Sequence, residues 1–405
     1  MREESKKGQA DVNGEPLGRL FRGGELYCPD YRGRGDLLVV GGIIVRVAQK
    51  IDLEKNCLDL EIIDATDRIL TPGLIDQHVH IIGAGGSSGP VTRTREIRIQ
   101  DVVQAGVTTL VGTLGFDIIT RDLKRLLVKA QALEAQGVTT FIYTGSYTVP
   151  AITLTGSMES DLLLIDKVVG IKLAVAEPLS TRPDENELMD VIVGGHRGGL
   201  LSGKAGIVHV HVGGAPGAWF KMTEKILHET MIPFTQIVFT HCNRSSGVFK
   251  DAFEFAKIGG MVDMTAALNL ELLSPEENKS LGLKKPSKAI EEMLELGISE
   301  DSLTLSSDSN ASAFFHGKLV FSYISDLYKE FRDLARDRKN IPLALKMVTL
   351  NPAKRLKIAS KKGSLDAGKD ADVLVLSRDL DIQEVYARGK QMVKNGEAVV
   401  KDPFE

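Results

Sequence analysis

The chain has 405 residues, of which 43% are hydrophobic, enough for one large domain and a smaller one beside it. Its 50 basic and 54 acidic residues give a formal net charge of −4, which argues against nucleic-acid binding and against attraction to a membrane surface. The 3 cysteines are widely spaced and form neither a disulfide framework nor a zinc-finger pattern, so we expect a cytoplasmic protein.

Both ends of the chain are rich in β-forming residues. Residues 1–17 are a polar tail without the apolar segment of a secretory signal. Within residues 18–72, two β-rich runs flank a Gly-Gly pair, which predicts a hairpin over 37–47. A similar β-rich part occupies 356–405. We predict that 18–72 and 356–405 pair into one small β-sandwich domain.

Residues 73–355 alternate short apolar runs with longer helix-favouring segments. The eight apolar runs are the one that ends at His78-Val79-His80, then 107–114, 139–144, 168–176, 207–212, 236–241, 260–266 and 302–307. This alternation predicts parallel strands, and eight of them predict a closed (β/α)₈ barrel of the TIM type. A doubly wound open sheet is the alternative, because the pattern does not reveal closure.

Polar residues stand at the carboxyl ends of the predicted strands, where such barrels carry their catalytic groups. Six candidates fall at five strand ends: His78, His80, Lys172, His211, His241 and Asp308. Imidazoles and a carboxylate that converge on one mouth favour zinc or a similar divalent ion. One such residue alone would be interpreted as a loop, cap or edge residue, so the prediction rests on their combination.

A second His-x-His pair tests this interpretation. His209 and His211 face the same side of one strand, but His209 lies about 6.6 Å farther from the strand's carboxyl end. We therefore predict His211 as a ligand and His209 as a supporting or core residue. His196, His228 and His316 are interpreted as structural.

Two segments near the ends of the predicted barrel are 71–80 (TPGLIDQHVH) and 363–372 (GSLDAGKDAD), and shorter ones are 89–94 (GPVTRT), 155–157 (TGS), 240–244 (THCNR) and 305–308 (LSSD). The first segment resembles the opening motif of the amidohydrolase superfamily, and the second resembles its return into a small β-domain. Within that superfamily, the shorter segments are similar to the isoaspartyl dipeptidases. The resemblance covers nearly the whole chain after the tail.

The resemblance implies two zinc ions per subunit, which activate a hydroxide for attack on an amide bond of a small-molecule substrate. The implied ligands are His78, His80 and Asp308 on one zinc, His211 and His241 on the other, and a carboxylated Lys172 that bridges both. Asp308 would act as general base and then as general acid, and Tyr147 would stabilise the oxyanion. The resemblance also implies a homo-oligomer.

The positions that match the family's substrate contacts are only partly retained: Gly85, Ser87, Phe116, Leu179, Arg244 and Ser312. Ser87 replaces an acid that binds the substrate's amino group, and Phe116 replaces a threonine. Leu179 replaces one of two arginines that clamp a carboxylate, although Arg182 is three residues away.

The leading hypothesis is an isoaspartyl dipeptidase that cleaves β-aspartyl dipeptides. The alternative is a related binuclear amidohydrolase that acts on N-acyl amino acids or cyclic amides, because the three departures make the pocket less charged. A non-catalytic scaffold on the same fold is a hypothesis of another class, which the retained ligand set disfavours.

Overall fold

The first five strands form one half of a sheet. They are β1 (Gly18–Tyr27), β2 (Tyr31–Val40), β3 (Ile43–Ala48), β4 (Leu60–Asp64) and β5 (Ile69–Pro72). The predicted hairpin is confirmed, since β2 pairs with β3 through Val40 and Ile43. Gly41 and Gly42 have φ values of 57° and 79°, a left-handed conformation that glycine adopts without steric cost.

The computed structural model describes residues 16–53, 60–215, 217–266, 274–315, 318–336 and 340–403. Most of the predicted tail therefore lies outside the described residues, as do Cys57 and His316.

Eight parallel strands follow, and each is hydrogen-bonded to the next in chain order. They are β6 (Leu74–Val79), β7 (Val107–Gly112), β8 (Thr139–Gly145), β9 (Val168–Val175), β10 (Ile207–Val212), β11 (Ile237–Thr240), β12 (Met261–Thr265) and β13 (Leu303–Ser306). The first and last strands approach each other through a bridge between Val79 and Ser309 and a 3.0 Å hydrogen bond from His80 N to Ser309 O. The predicted barrel is confirmed in nearly closed form, which excludes the doubly wound sheet.

Helices connect the strands and cover the barrel. They are α1 (Ile99–Gln104), α2 (Leu123–Gln136), α3 (Met158–Leu164), α4 (Glu185–Ser202), α5 (Trp219–Thr230), α6 (Ser246–Lys257), α7 (Pro275–Leu281), α8 (Pro286–Glu295), α9 (Ser325–Leu334), α10 (Ile341–Val348) and α11 (Leu350–Arg355). The longest, α4, begins at a capping box in which Asp184 and Glu187 bind each other's backbone N–H groups. None of the described helices is long and apolar enough to cross a membrane.

The carboxyl-terminal strands complete the first sheet. After a hairpin of β14 (Ser312–Phe315) and β15 (Lys318–Phe321) come β16 (Val373–Leu376), β17 (Ile382–Ala387), β18 (Lys390–Lys394) and β19 (Glu397–Ala398). β16 pairs antiparallel with β5, so strands from both chain ends share one nine-stranded sheet. The prediction that the two ends build one β-domain is confirmed, and the exact domain boundaries stay a prediction.

The β-domain contacts the barrel at the amino-terminal ends of its strands. The buried Lys362 ammonium donates to Thr139 Oγ1 at the start of β8 and to Asp372 Oδ2, both at 2.7 Å. Gly73 N, which precedes β6, donates to Asp372 O at 3.0 Å. These contacts lie at the end of the barrel opposite to the strand ends that carry the candidate ligands.

Candidate metal centre

The six predicted metal ligands lie together at the carboxyl ends of the barrel strands. Three of them belong to β6, β9 and β10, and the other three follow the ends of β6, β11 and β13. All six are buried: His78, His80, Lys172, His211, His241 and Asp308. The barrel therefore brings to one place side chains that are up to 230 positions apart in the chain.

His78, His80 and Asp308 form the tightest group. Asp308 Oδ1 lies 3.1 Å from His80 Nε2 and 3.3 Å from His78 Nε2. One ligand atom from each of the three residues lies within 4.8 Å of the other two. Two imidazole nitrogens and a carboxylate oxygen are a donor set that zinc prefers.

The surroundings of His80 favour a cation in this group. Its Nδ1 lies 3.2 Å from the carbonyl oxygen of Thr113, which can only accept, so Nδ1 carries the proton. In a neutral ring, Nε2 then presents a lone pair to the Asp308 carboxylate. A lone pair and a carboxylate repel each other at this distance, and a cation bound by both removes the repulsion. The donor set therefore fits a metal ion.

Lys172 is fully buried beside this group. Its Nζ lies 3.0 Å from His78 Nε2, and it forms no ion pair with a carboxylate in the described part of the chain. Burial lowers the pKa of Lys172 to about 7, although the Asp308 charge opposes the shift. A large share of this amine is therefore uncharged at neutral pH. The uncharged amine is the form that reacts with carbon dioxide.

His211 and His241 form a second pair of donors. Their ring centroids are 4.3 Å apart, and burial lowers the pKa of each ring well below its usual value. His241 Nε2 is buried and has no hydrogen-bond partner among the described residues. A buried neutral nitrogen without a partner is costly unless something else binds it, and a second metal ion would do so.

Each of the four imidazoles is oriented by a contact at Nδ1. The partners are Thr113 O for His80 at 3.2 Å, Thr265 Oγ1 for His241 at 2.9 Å, Tyr147 Oη for His211 at 2.9 Å and His209 Nε2 for His78 at 3.0 Å. Such contacts fix the ring plane and direct Nε2 towards the centre of the site. The same arrangement in all four rings is typical of metal-binding histidines.

Two of the predicted ligands have a strained backbone. His241 and Asp308 have φ values of 73° and 52°, a left-handed conformation that costs non-glycine residues about 1–3 kcal/mol each. The Asp308 carbonyl accepts a hydrogen bond from the Ser322 hydroxyl, which helps to hold this conformation. Strain of this kind persists at functional sites, where the surrounding structure imposes it.

A buried acid that the sequence interpretation missed lies one layer deeper. Asp263 in β12 accepts hydrogen bonds from Gln77 and Thr304 at Oδ1 and from Thr240 and Ser306 at Oδ2, at 2.6–2.8 Å. These donors belong to β6, β11 and β13, so one carboxylate joins four strands. Gln77 and Thr240 directly precede His78 and His241. The charged residue inside the otherwise uncharged β12 was the available signal.

The structure also distinguishes the histidines that were not predicted as ligands. His209 is buried inside the barrel and contacts His78, as the supporting role requires. His196 on α4 bonds to Gln236 at 3.1 Å, and His228 on α5 has a side chain that is 65% exposed. Neither contacts the candidate site in the described structure.

A cavity of about 420 Å³ opens above the ligands, a size typical of small-molecule sites. His80, His211 and Asp308 form part of its wall. The wall also contains Tyr147 and all of the predicted substrate contacts: Gly85, Ser87, Phe116, Leu179, Arg244 and Ser312. Arg182 is not among the described residues that line it, so the structure offers no sign that Arg182 replaces the missing arginine.

Among the residues that the structure describes, two charged side chains other than the ligands line this cavity. Arg244 Nη2 donates to Asp308 Oδ2 at 2.9 Å. Glu177, which the sequence interpretation missed, has its Oε2 3.5 Å from His211 Nε2. Burial raises the pKa of Glu177, against the effect of Arg244. Glu177 follows the end of β9 by two residues, so the strand-end rule that selected His211 could also have found it.

Burial also affects the protonation state of two groups that face the cavity. It raises the pKa of Tyr147 well above its usual value, so the phenol stays protonated at neutral pH. Burial alone would raise the pKa of Asp308, but its contact with His80 and the positive charge of Arg244 outweigh this effect. The pKa of Asp308 is therefore below its usual value, and this carboxyl is ionised at neutral pH.

Comparisons with known proteins agree with this arrangement. The Amidohydrolase family matches residues 69–392. The β-aspartyl dipeptidase of Fervidobacterium islandicum AW-1, solved with a β-Asp-Leu dipeptide, is 36% identical, with a TM-score of 0.84 over 94% of this chain and 98% of that one. The dihydropyrimidinase of Brevibacillus agri NCHU1002 is 17% identical over 95% and 96% of the two chains, with a TM-score of 0.66, and shares the fold.

Curated relatives match over shorter segments. A dihydroorotase of Syntrophobacter fumaroxidans is 40% identical over 79 residues, which span 19% of this chain and only 17% of that protein. The family match, in contrast, includes the whole barrel and all six predicted ligands. The chain belongs to the amidohydrolase family.

Proposed function

We propose that this protein is a binuclear zinc-dependent isoaspartyl dipeptidase. Its family and its similarity to β-aspartyl dipeptidase structures support a hydrolase that acts on amide bonds. The observation that carries the finer proposal is the group of His78, His80 and Asp308 at the base of a cavity whose described wall also contains Glu177 and Arg244.

The donor geometry supports two metal positions. His78, His80 and Asp308 would hold one zinc, and His211 and His241 the other. Lys172, once it carries a carboxyl group, would supply an anionic ligand to both. When bound, zinc lowers the pKa of a coordinated water towards about 7 and polarises the scissile carbonyl.

Asp308 is suited to move the proton of the attacking water. Its carboxyl group is ionised at neutral pH and reaches the cavity, so it can accept that proton as a general base. The protonated form can then donate to the leaving amine. Arg244, which contacts Oδ2, holds the carboxylate in place between these two transfers.

Tyr147 is suited to bind the developing oxyanion. When His211 uses Nε2 as a ligand atom, its Nδ1 carries a proton and donates to the Tyr147 oxygen. The phenolic proton of Tyr147 is then free to point into the cavity. A hydrogen bond that strengthens as charge builds on the carbonyl oxygen lowers the barrier to attack.

The cavity charges support a zwitterionic substrate. In a β-aspartyl dipeptide, the free ammonium and the α-carboxylate are both attached two carbon atoms from the scissile carbonyl carbon. Glu177 lies beside His211 and Arg244 lies beside Asp308, so one negative and one positive side chain border the cavity next to the proposed ligands. Glu177 would thus bind the ammonium that Ser87 cannot neutralise, and Arg244 would bind a carboxylate.

The alternative substrates are N-acyl amino acids and cyclic amides, which lack the ammonium. Phe116 and Leu179 favour them, because both make the wall of the cavity more apolar. Initial rates on β-Asp-Leu, α-Asp-Leu, N-acetyl-leucine and dihydrouracil, with zinc-loaded protein, separate the two readings. We expect hydrolysis of β-Asp-Leu alone. Preference for N-acetyl-leucine or dihydrouracil would replace the proposal with the alternative.

We also propose a cytoplasmic homo-oligomer. Cys28 and Cys242 are buried free thiols, which supports a reducing compartment. The homo-oligomer rests on the family resemblance. Size-exclusion chromatography with light scattering tests it, and a monomer at micromolar concentration would contradict it.

A further inference from the structure

His209 is the one described histidine inside the barrel that the proposed mechanism does not use. It lies on β10 two residues before His211, so both side chains point into the barrel and His209 is one layer deeper. It is fully buried, and its backbone pairs with Lys172 on β9 and Val238 on β11. Burial of a polar ring at this depth is costly unless the ring makes a specific contact.

The specific contact of His209 is with a predicted zinc ligand, His78. His209 Nε2 lies 3.0 Å from His78 Nδ1, and His78 Nε2 faces Lys172 Nζ at 3.0 Å and Asp308 Oδ1 at 3.3 Å. Two neutral imidazoles in such a contact share one proton. If His209 donated it, the proton of His78 would lie on Nε2 and block metal binding. If His78 donates it, Nε2 keeps the lone pair that a metal needs.

In the other three predicted histidine ligands, a different kind of group contacts Nδ1. His80 faces a carbonyl oxygen, which is an obligatory acceptor, while His211 and His241 face hydroxyl groups, which can accept or donate. His78 alone depends on a second imidazole. Its tautomer therefore depends on whether that imidazole accepts at Nε2.

The His209 ring is also held in one orientation. Tyr143 on β8 stacks on it with ring centroids 5.0 Å apart and an interplanar angle of 13°. The His78 ring meets it nearly edge-on, at 5.0 Å and 72°. Packing on one face and a hydrogen bond at the edge leave the ring little freedom to turn Nε2 away from His78.

We propose that His209 is a positioning residue for the metal centre, which accepts a hydrogen bond from His78 Nδ1 and so holds His78 in the tautomer and orientation that binds zinc. It acts through His78 and contacts neither substrate nor metal. Loss of such an outer contact typically lowers metal affinity about 10- to 100-fold.

Three substitutions test this role. His209→Gln places an amide oxygen near the position of Nε2 and can still accept from His78. His209→Asn carries the same amide one methylene shorter and does not reach. His209→Met fills a similar volume without an acceptor. His228→Gln, which changes an exposed side chain of α5, is the control for the loss of a histidine that does not contact the site.

The readout is zinc affinity by chelator competition, with the melting temperature of each metal-free protein measured in parallel. We expect the Met and Asn variants to release one of the two zinc ions about 10- to 100-fold more readily, with the Gln and His228 variants close to the parent. A core-filling role would change melting temperature alone. Equal zinc affinity for Gln and Asn, or no loss in either Asn or Met, would overturn the proposal.

The result does not depend on the identity of the substrate. If the protein binds zinc as proposed but does not cleave β-Asp-Leu, the substrate assignment fails and the role of His209 stands. If all variants bind zinc alike while β-Asp-Leu is cleaved, the role of His209 fails and the function stands.

Discussion

Arg244 and Asp308 form an ion pair inside the cavity, with Arg244 Nη2 2.9 Å from Asp308 Oδ2. Arg244, which is proposed to bind a substrate carboxylate, and Asp308, the proposed general base, are thus electrostatically coupled. Substrate that draws Arg244 towards its own carboxylate would leave Asp308 freer to accept a proton. This coupling makes the pH dependence of Arg244 variants informative.

Substitution Arg244→Met should shift the acidic limb of the pH–rate profile to higher pH. The Arg244 charge helps to hold the pKa of Asp308 below its usual value, so its removal raises that pKa. Asp308 must be ionised to act as a base. As the pH is lowered, the variant should therefore lose activity at a higher pH than the parent protein does. KM for β-Asp-Leu should rise about 10- to 100-fold, since a charged hydrogen bond is lost. An unchanged acidic limb would argue against the coupling.

Substitution Tyr147→Phe should lower kcat about 100- to 1000-fold with little change in KM. The phenol is buried and protonated, and its hydroxyl is placed to donate to the oxyanion. Tyr31→Phe, at an exposed position on β2, is the matched control. Steady-state kinetics at saturating zinc provide the measurement, and a change confined to KM would assign Tyr147 to substrate binding.

Substitution Glu177→Gln should raise KM for β-Asp-Leu about 10- to 100-fold, because the ammonium loses its counter-charge. Binding of N-acetyl-β-Asp-Leu, which has no ammonium, should change little. Inhibition constants or KM values for both compounds give the comparison, with zinc content checked for each protein. Glu185→Gln on α4, an ion-pairing acid outside the cavity, serves as control. Equal effects on both compounds would remove Glu177 from ammonium recognition.

Carboxylation of Lys172 should decline as pH falls. The pKa of this lysine is lowered to about 7, so protonation grows below that pH and the reactive neutral amine disappears. In metal-free protein the neutral fraction of the amine is therefore larger at pH 8 than at pH 6. At a fixed concentration of dissolved ¹³CO₂, the carbamate ¹³C signal should decrease accordingly and be absent in Lys172→Met. A pH-independent signal would contradict the lowered pKa.

Substitution Lys362→Met should destabilise the fold by about 3–5 kcal/mol, because it leaves the buried Asp372 carboxylate and the partly buried Asp370 carboxylate without this cation. Lys362 lies 2.8 Å from Asp370 Oδ2 and 2.7 Å from Asp372 Oδ2 and joins the β-domain to β8. The exposed neighbour Lys361→Met should cost little. Urea denaturation compares them, and equal stability of the two variants would contradict this role.

The sequence predicts the barrel and most of the site because both depend on local pattern. His241 and Asp308 could be placed because each follows a strand of the β/α alternation, and the carboxyl ends of parallel strands meet. The contacts of Asp263 were not predictable, because they join four strands whose relative register the pattern does not contain. The same holds for the contact between His209 and His78, since its partners are 131 positions apart.

Hydrolysis of β-Asp-Leu by protein loaded with about two zinc ions per chain, beside Asp308→Asn, tests the central claim most directly. The account predicts release of aspartate and leucine by the parent and no turnover by the variant. The asparagine side chain has the shape of aspartate but cannot act as a base. No turnover by the fully zinc-loaded parent, or equal turnover by both proteins, would contradict it.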